Sequence, residues 1–336
     1  MAAVLEIIRP GPQTTVQDLG RVGYMRYGVP PSGALDRESL RLANALVGNE
    51  EGAPGLELTM GGLSARVLSR ATLACTGAPT PILVNGEARP MWQRFAVEPE
   101  DTLEIGAPAT GVRVYLAIRG GVDVPLILGS ASTYVRGSMG GIDGRPLRVG
   151  DLIHAGEPGQ AGEDLGPDDE RVSRAMRARA GGRSPLILRV VMGPQDDLFK
   201  AEGIATFLSS EYTVTPHADR MGVRLAGPAI THLSGADIIS DGIPAGAVQV
   251  PGDGQPIVML ADRQTTGGYP KIACVIRSDR DLIAQARPGD RVRFKKVSLE
   301  EAQRPLADVP LSDAVERAFK LRIGRRSYQV RVTELR

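Results

Sequence analysis

No apolar run in this chain goes far before a glycine, proline, asparagine or aspartate interrupts it, and that punctuation constrains the fold more than any other feature. The 41 glycines and 25 prolines make up about a fifth of the 336 residues, too dense for long helices, because both residue types break regular structure. The apolar runs left between them, at 71–76, 81–84, 112–119, 186–192, 222–225, 257–261, 272–276 and 290–294, are short and rich in Val, Ile and Leu. Such a series reads as an all-β protein, mainly β with a few helices, built as a sandwich or barrel rather than from alternating βαβ units. Asn85-Gly86 predicts a tight hairpin, since both residues tolerate the positive φ angles of a type I′ turn.

Helices are predicted at three places. Residues 36–47 carry Leu40, Ala43, Leu46 and Val47 at helical spacing, with Asp36 to cap the start and Gly48-Asn49 to end it. Residues 194–208 open on Pro194 at the permitted first turn and continue with Leu198, Phe199, Ile204 and Phe207. A short helix is expected at 312–319, followed by a hairpin over 320–335 turning at 323–326. The length suggests about two domains. The sharp change to glycine, acidic residues and arginines after residue 156 divides the chain into 1–156, a polar connection 157–184, a second domain 185–297 and an extension 298–336.

With 42% hydrophobic residues the chain can bury a core, which excludes disorder. Forty basic against 39 acidic residues gives a net charge of +1, which argues against nucleic-acid binding. No apolar run is long enough to cross a membrane. The start lacks the basic and apolar regions of a secretory leader, so a cytoplasmic location is expected. Cys75 and Cys274 read as reduced, buried thiols, and with His154, His217 and His232 scattered no metal site is expected.

Four loops crowd polar residues and glycines between strands. In 11–21 with 31–36, Arg21 is suited to clamp a carboxylate or phosphate beside Asp18 or Asp36, although an Asp18–Arg21 brace explains the same residues. Residues 129–145 hold successive glycines able to form an anion-binding nest or a plain tight turn. His217-Ala218-Asp219-Arg220 offers a histidine that titrates near neutrality, or a hydrogen-bonded turn. The densest loop, 249–271, sets Asp262, Gln264, Thr265, Thr266, a Gly267-Gly268 bend, Tyr269 and Lys271 between two strands. It is longer than a hairpin requires and supplies neutral donors beside a cation, as an oxyanion would need.

The stretches GPQTTVQDLGR, PPSGALDRESLRLANALVGN, GLELTMGG, GSASTY, GGIDGRPLRVGD, ADRMGVRLAG and VQVPGDGQPIVMLADRQTTGGYPKIACVI resemble, in order, the biotin-dependent carboxyltransferase family, also called allophanate hydrolase subunit 2. That family includes the C subunits of 5-oxoprolinases, the regulator KipA and part of urea amidolyase. The resemblance spans residues 9–296 except for 157–184. It implies two cyclophilin-like β-barrel domains and a heteromeric complex with two partners, one KipI-type (the B subunit) and one LamB/YcsF-type (the A subunit). In such a complex ATP drives opening of 5-oxoproline to glutamate. The alternatives it implies are carboxyl transfer from carboxybiotin to urea or another amide, or KipA-like regulation of a KipI-type partner without catalysis. No biotin-attachment Ala-Met-Lys-Met is present, so biotin would arrive on another chain. Ala131, Ala218 and Val223 stand where relatives often carry other residues. On the leading reading Asp262, Gln264 and Lys271 form the catalytic group. Arg21, Ser32, Arg220, Thr265, Thr266, Gly267, Gly268 and Tyr269 hold the substrate, with Arg220 and Lys271 on its anionic groups and Asp262 as an orienting residue.

Overall fold

The computed structural model describes residues 3–157, 169–179, 185–303, 314–323 and 326–335. Its contacts group into two compact units, Met1–Val297 and Ser298–Arg336. Strand makes up 34% of the structure against 18% helix, so the mainly-β expectation holds.

In the first unit the N-terminal strands make two antiparallel sheets. One runs in the order Leu152–His154, Ala3–Pro10, Leu63–Val67, Thr102–Ile105, Ile82–Val84 and Glu87–Arg89. The other runs Gln13–Gln17, Gly55–Thr59, Arg113–Ile118, Ala71–Gly77 and Arg94–Val97. Leu5, Ile7, Leu58, Leu63, Leu116 and Ile153 from the two sheets share one buried core. Burial alternates along Arg94–Val97 and Thr102–Ile105, as it must where one face of a strand meets water. Asn85 (φ 53°) and Gly86 (φ 82°) make the predicted turn, and Val84 pairs with Glu87 across it.

The C-terminal strands close into a seven-stranded barrel ordered Leu186–Met192, Lys271–Val275, Ala247–Gln249, Ile257–Met259, Gly222–Ala226, Tyr212–Val214 and Arg291–Lys296. Leu186–Met192 runs parallel to Arg291–Lys296 where the barrel closes, and the other pairings are antiparallel. Closure leaves no exposed ladder edge. Phe207 stacks on Phe294 inside it, centroids 4.4 Å apart. The resemblance implies two barrels; the C-terminal strands form a closed one, and the N-terminal strands form the two sheets over a common core.

Helix α1 (Arg37–Leu46) starts as expected, with the Asp36 carboxylate accepting from the Ser39 N–H at 3.1 Å. Helix α2 (Asp169–Arg179) is tied to α1 by Arg171, which donates to Glu38 at 2.7 Å and also binds Glu51. The helix predicted over 194–208 divides into a 3-10 turn, Asp196–Leu198, and α3 (Ala201–Ser209). Between them Phe199 is extended, because its backbone bridges to His232, whose ring lies tilted against its own with centroids 4.8 Å apart. A tertiary pairing overrides local propensity there. Helix α4 (Arg277–Ile283) follows the barrel strand Lys271–Val275.

The second unit holds a five-residue helix, Leu299–Gln303, and an antiparallel hairpin, Ala314–Ile323 with Arg326–Leu335. The hairpin forms with Ile323 opposite Arg326, but the helix predicted at 312–319 gives way to strand from Ala314 onward. Apolar residues at 315, 319, 321 and 323 follow the strand period of two, and ten residue pairs face each other across the ladder. Residues 312–313 and the turn at 324–325 lie outside the described residues, as does most of the connection 157–184 apart from α2.

Candidate functional site

A buried ionic knot holds the N-terminal sheets and the barrel together. Arg220, just before the strand Gly222–Ala226, donates from Nε to Asp262 Oδ2 at 2.9 Å and from Nη2 to Asp262 Oδ1 at 3.0 Å. It also donates to the Gly33 carbonyl at 2.7 Å and to Glu57. Glu57 sits mid-strand, 1% exposed, and its other oxygen accepts from the Leu35 N–H at 2.9 Å and the Tyr115 hydroxyl at 2.7 Å. Gln285 extends the knot, donating to Asp36 at 2.8 Å and accepting from the N–H groups of Val112 and Arg113. Burial works against the charge of Arg220, yet Asp262 and Glu57 outweigh it and raise the pKa of the group. Burial, followed by Glu57 and Asp36, lifts the Tyr115 phenol well above its ordinary value. These contacts correct one expectation: Arg220 is committed to internal partners and offers no anion contact. Asp262 has both carboxylate oxygens taken by Arg220.

Arg21 and Ser32 meet at the edge of this knot. The Arg21 N–H donates to the Pro31 carbonyl at 2.8 Å and the Ser32 N–H to the Ala261 carbonyl at 3.2 Å, so both residues adjoin Asp262. Asp18 does not hydrogen-bond Arg21. Its carboxylate accepts from the hydroxyls of Ser130 and Ser132 and the N–H groups of Gly20 and Ala131. The Arg21 guanidinium donates instead to the Ser132 and Ile127 carbonyls. Burial lowers its pKa, offset in part by Asp18 and Asp262. Two polar atoms here are buried without a partner among the described residues, Arg21 Nη1 and Ser32 Oγ. Ser32 also holds φ at 55°, a strained angle for a residue with a side chain. An unpaired guanidinium nitrogen and an unpaired hydroxyl are each able to donate a hydrogen bond to an oxygen-rich ligand on that side of the site.

The loop after Asp262 makes a second polar group. Thr266–Gly267 pairs with Asp241–Gly242, and the Ile243 N–H donates to the Thr265 carbonyl at 3.0 Å. Lys271, 1% exposed, donates from Nζ to Asp241 Oδ2 at 3.1 Å, and Gln195 bridges the Lys271 N–H and Asp241. That ammonium is the first cause of the lowered Asp241 pKa. A Cβ on Gly267 would stand 3.2 Å from Gln249 Nε2 and 3.5 Å from Gln264 Nε2, so both amides close on this glycine. Gln264, Thr266 and Tyr269 are exposed, Thr265 and Gly268 half-buried, and Gln249 is buried and donates to the Tyr269 carbonyl. A buried ammonium and two side-chain amides around bare backbone can bind a carbonyl or its oxyanion.

Five participants, Glu57, Tyr115, Gln285, Asp241 and Gln195, lie outside the four polar loops of the sequence. A signal existed for Glu57: a lone carboxylate between leucines in a strand is either exposed or paired. The other loops resolve as packing. A Cβ on Gly140 would come within 2.1 Å of the Ser132 carbonyl and 2.9 Å of Arg21 Nη2, so that glycine admits Arg21 and forms no open nest. His217 is exposed, and beside it Asp219 caps a turn by accepting from the Met221 N–H at 2.8 Å. Burial pushes the Cys75 thiol up to about 12 and raises that of Cys274, so neither is poised as a nucleophile. Among the described residues no group of three His, Cys, Asp or Glu could hold a metal, and no helix is long and apolar enough to cross a membrane.

Comparison with known proteins finds the carboxyltransferase domain, subdomains A and B, over residues 27–296. The chain is 37% identical over 305 residues to the C subunit of Escherichia coli 5-oxoprolinase, covering 91% of this chain and 95% of that protein. The Haemophilus influenzae protein of the same name is 33% identical, with 89% and 93% covered. Among solved structures, the Kluyveromyces lactis urea amidolyase superposes with a TM-score of 0.82 at 32% identity over 90% of this chain. The chain spans 19% of that larger protein.

Proposed function

The chain belongs to the carboxyltransferase domain family, subdomains A and B, and on that premise we propose that it serves as the C subunit of a 5-oxoprolinase, an amide-hydrolysing assembly. The observation that carries this reading is the likeness to proteins of that name along nearly their whole length, 95% of the Escherichia coli protein. The assembly includes a KipI-type partner and a LamB/YcsF-type partner, and ATP is its second substrate.

The chemistry asked of such a site matches the groups present. A lactam amide is resonance-stabilised, and ATP would supply the phosphoryl group that makes its oxygen a leaving group. The work left to this chain is binding and orientation. Lys271, held by Asp241 and Gln195, bears its positive charge toward developing negative charge, while Gln264, Thr265 and Thr266 donate hydrogen bonds to the amide. Arg21 and Ser32 carry the unsatisfied donors that a substrate carboxylate would fill. Asp262 and Arg220 fix the start of the loop relative to Gly33 and Glu57.

The test is reconstitution with the KipI-type and LamB/YcsF-type partners and measurement of glutamate released from 5-oxoproline. Release should require both ATP and this chain, and undiminished release without it sinks the reading. A second reading, carboxyl transfer from carboxybiotin carried on another chain to urea, is favoured by the 0.82 superposition on urea amidolyase. Urea-dependent consumption of carboxybiotin by this chain, with no glutamate release, would select it.

A further inference from the structure

The C-terminal hairpin has one apolar and one polar face, and it lies beyond the stretch shared with the family, which ends at residue 296. Along Ala314–Ile323 the odd-numbered residues share one face of the ladder, and their register partners are the even-numbered residues of Arg326–Leu335. At the centre of that face Phe319 stands opposite Val330, with Leu321 opposite Tyr328 on one side and Arg317 opposite Val332 on the other. Its ends are Ile323 with Arg326 at the turn and Val315 with Glu334 at the open end. Arg317, Arg326 and Glu334 are therefore the charged residues of an otherwise apolar face. The opposite face carries Glu316, Lys320, Arg322, Gln329 and Arg331.

An isolated two-stranded hairpin is marginal in water and gains stability by packing its apolar face. This sheet has two strands. Among the described residues of the second unit the other element is the helix Leu299–Gln303, which has one large apolar residue, the exposed Leu299. The charges on the apolar face select what fits it. Arg326 and Glu334 sit at opposite ends of one strand, about 27 Å apart at 3.4 Å per residue, so they do not meet within one hairpin. A second hairpin stacked about a two-fold axis perpendicular to the strands, through the row of Phe319 and Val330, lays turn end against open end. Arg326 of each copy then stands opposite Glu334 of the other, Phe319 opposite Phe319 and Tyr328 opposite Val332. Arg317 falls on an outer strand, from which an arginine keeps its charge in water. Stacking turn on turn instead leaves Arg326 opposite Ile323 and Glu334 opposite Val315, which buries both charges unpaired.

We propose that this face binds a second copy of the chain, so that two molecules associate through C-terminal hairpins stacked in antiparallel orientation. Such an interface is self-complementary, as a two-fold dimer requires: each copy gives one arginine and one glutamate to the two intermolecular pairs. It stands apart from the 5-oxoprolinase reading, since it is defined by mass and not by turnover.

Sedimentation equilibrium of the full chain tests it. A reversible monomer–dimer equilibrium is expected, with dimerisation weakened at least about tenfold in Arg326→Glu. The double variant Arg326→Glu with Glu334→Arg rebuilds both pairs with their signs reversed and should return to the wild-type affinity. Arg331→Glu makes the same charge change on the polar face and should leave the affinity within about twofold. Phe319→Asp, at the centre of the apolar face, should be monomeric; if circular dichroism shows its hairpin lost, the charge exchange decides. A wild-type chain that stays monomeric at every concentration overturns the proposal, whatever else covers the face. So does unchanged affinity in Arg326→Glu, a charge exchange that does not restore the dimer, or equal weakening by Arg331→Glu.

Discussion

Replacing Arg220 with methionine keeps the stem and removes the charge that two buried carboxylates share. Glu57 is 1% exposed and Asp262 6% at the side chain, so water cannot take the place of the guanidinium. Removing one partner of a buried ion pair costs about 3–5 kcal/mol, because an uncompensated charge stays behind. In a unit of this size each kcal/mol moves the melting temperature by about 2–4 °C, so Arg220→Met should melt on the order of 10 °C lower at pH 8. The double variant Glu57→Gln with Arg220→Met should recover part of the deficit, because it removes one of the two carboxylates left uncompensated. Scanning calorimetry of the three proteins is the assay. A single variant that melts within about 2 °C of wild type at pH 8 would refute the claim that this knot is closed to water.

Three further outcomes are expected. Lys271→Met in the reconstituted assembly should lower kcat for glutamate release by about 100-fold with the complex still assembled on gel filtration, and normal turnover would remove Lys271 from the site. Ser32→Gly relieves the positive φ and deletes the orphaned hydroxyl, so it should gain about 1 kcal/mol in urea unfolding while raising KM for 5-oxoproline; a loss of stability with unchanged KM contradicts the role given to Oγ. Asp241, lowered chiefly by its hydrogen bond to Lys271, contributes stability that is complete above its unfolded pKa of about 4 and lost as pH falls through the lower folded value. Carboxyl carbon shifts followed by NMR should show the Asp241 titration moving up in Lys271→Met, with the Gly242 N–H still holding it down in part, and an unmoved titration would deny the pair.

What the sequence disclosed and what it hid divide by range. The Asn85-Gly86 turn, the Asp36 cap and strands such as 186–192 are decided by residues within a few positions of one another, and all appear where the pattern puts them. The break at Phe199 and the strand at 314–319 depend on partners far along the chain or across a hairpin, and periodicity in one window does not see them. The site divides in the same way. The loop 262–271 stands out in the sequence because more polar residues crowd between two buried strands than a plain turn needs. The fate of its charges does not: Glu57 lies 163 residues before Arg220, and Asp36 lies 249 before Gln285.

That distinction bears on how an arginine in such a motif should be read. Arg220 and Arg21 stand in equally suggestive loops, yet one is wholly engaged by Asp262, Glu57 and Gly33 while the other keeps a buried nitrogen unsatisfied. The difference rests on how many carboxylates the fold delivers to each. Two reach Arg220, whereas Asp18, beside Arg21 in sequence, is drawn off by Ser130, Ser132 and two N–H groups. A fold that diverts the obvious counter-ion away from a buried guanidinium leaves that group able to gain from an incoming anion. By the same reasoning Arg220, fully engaged inside the fold, has nothing to gain from one.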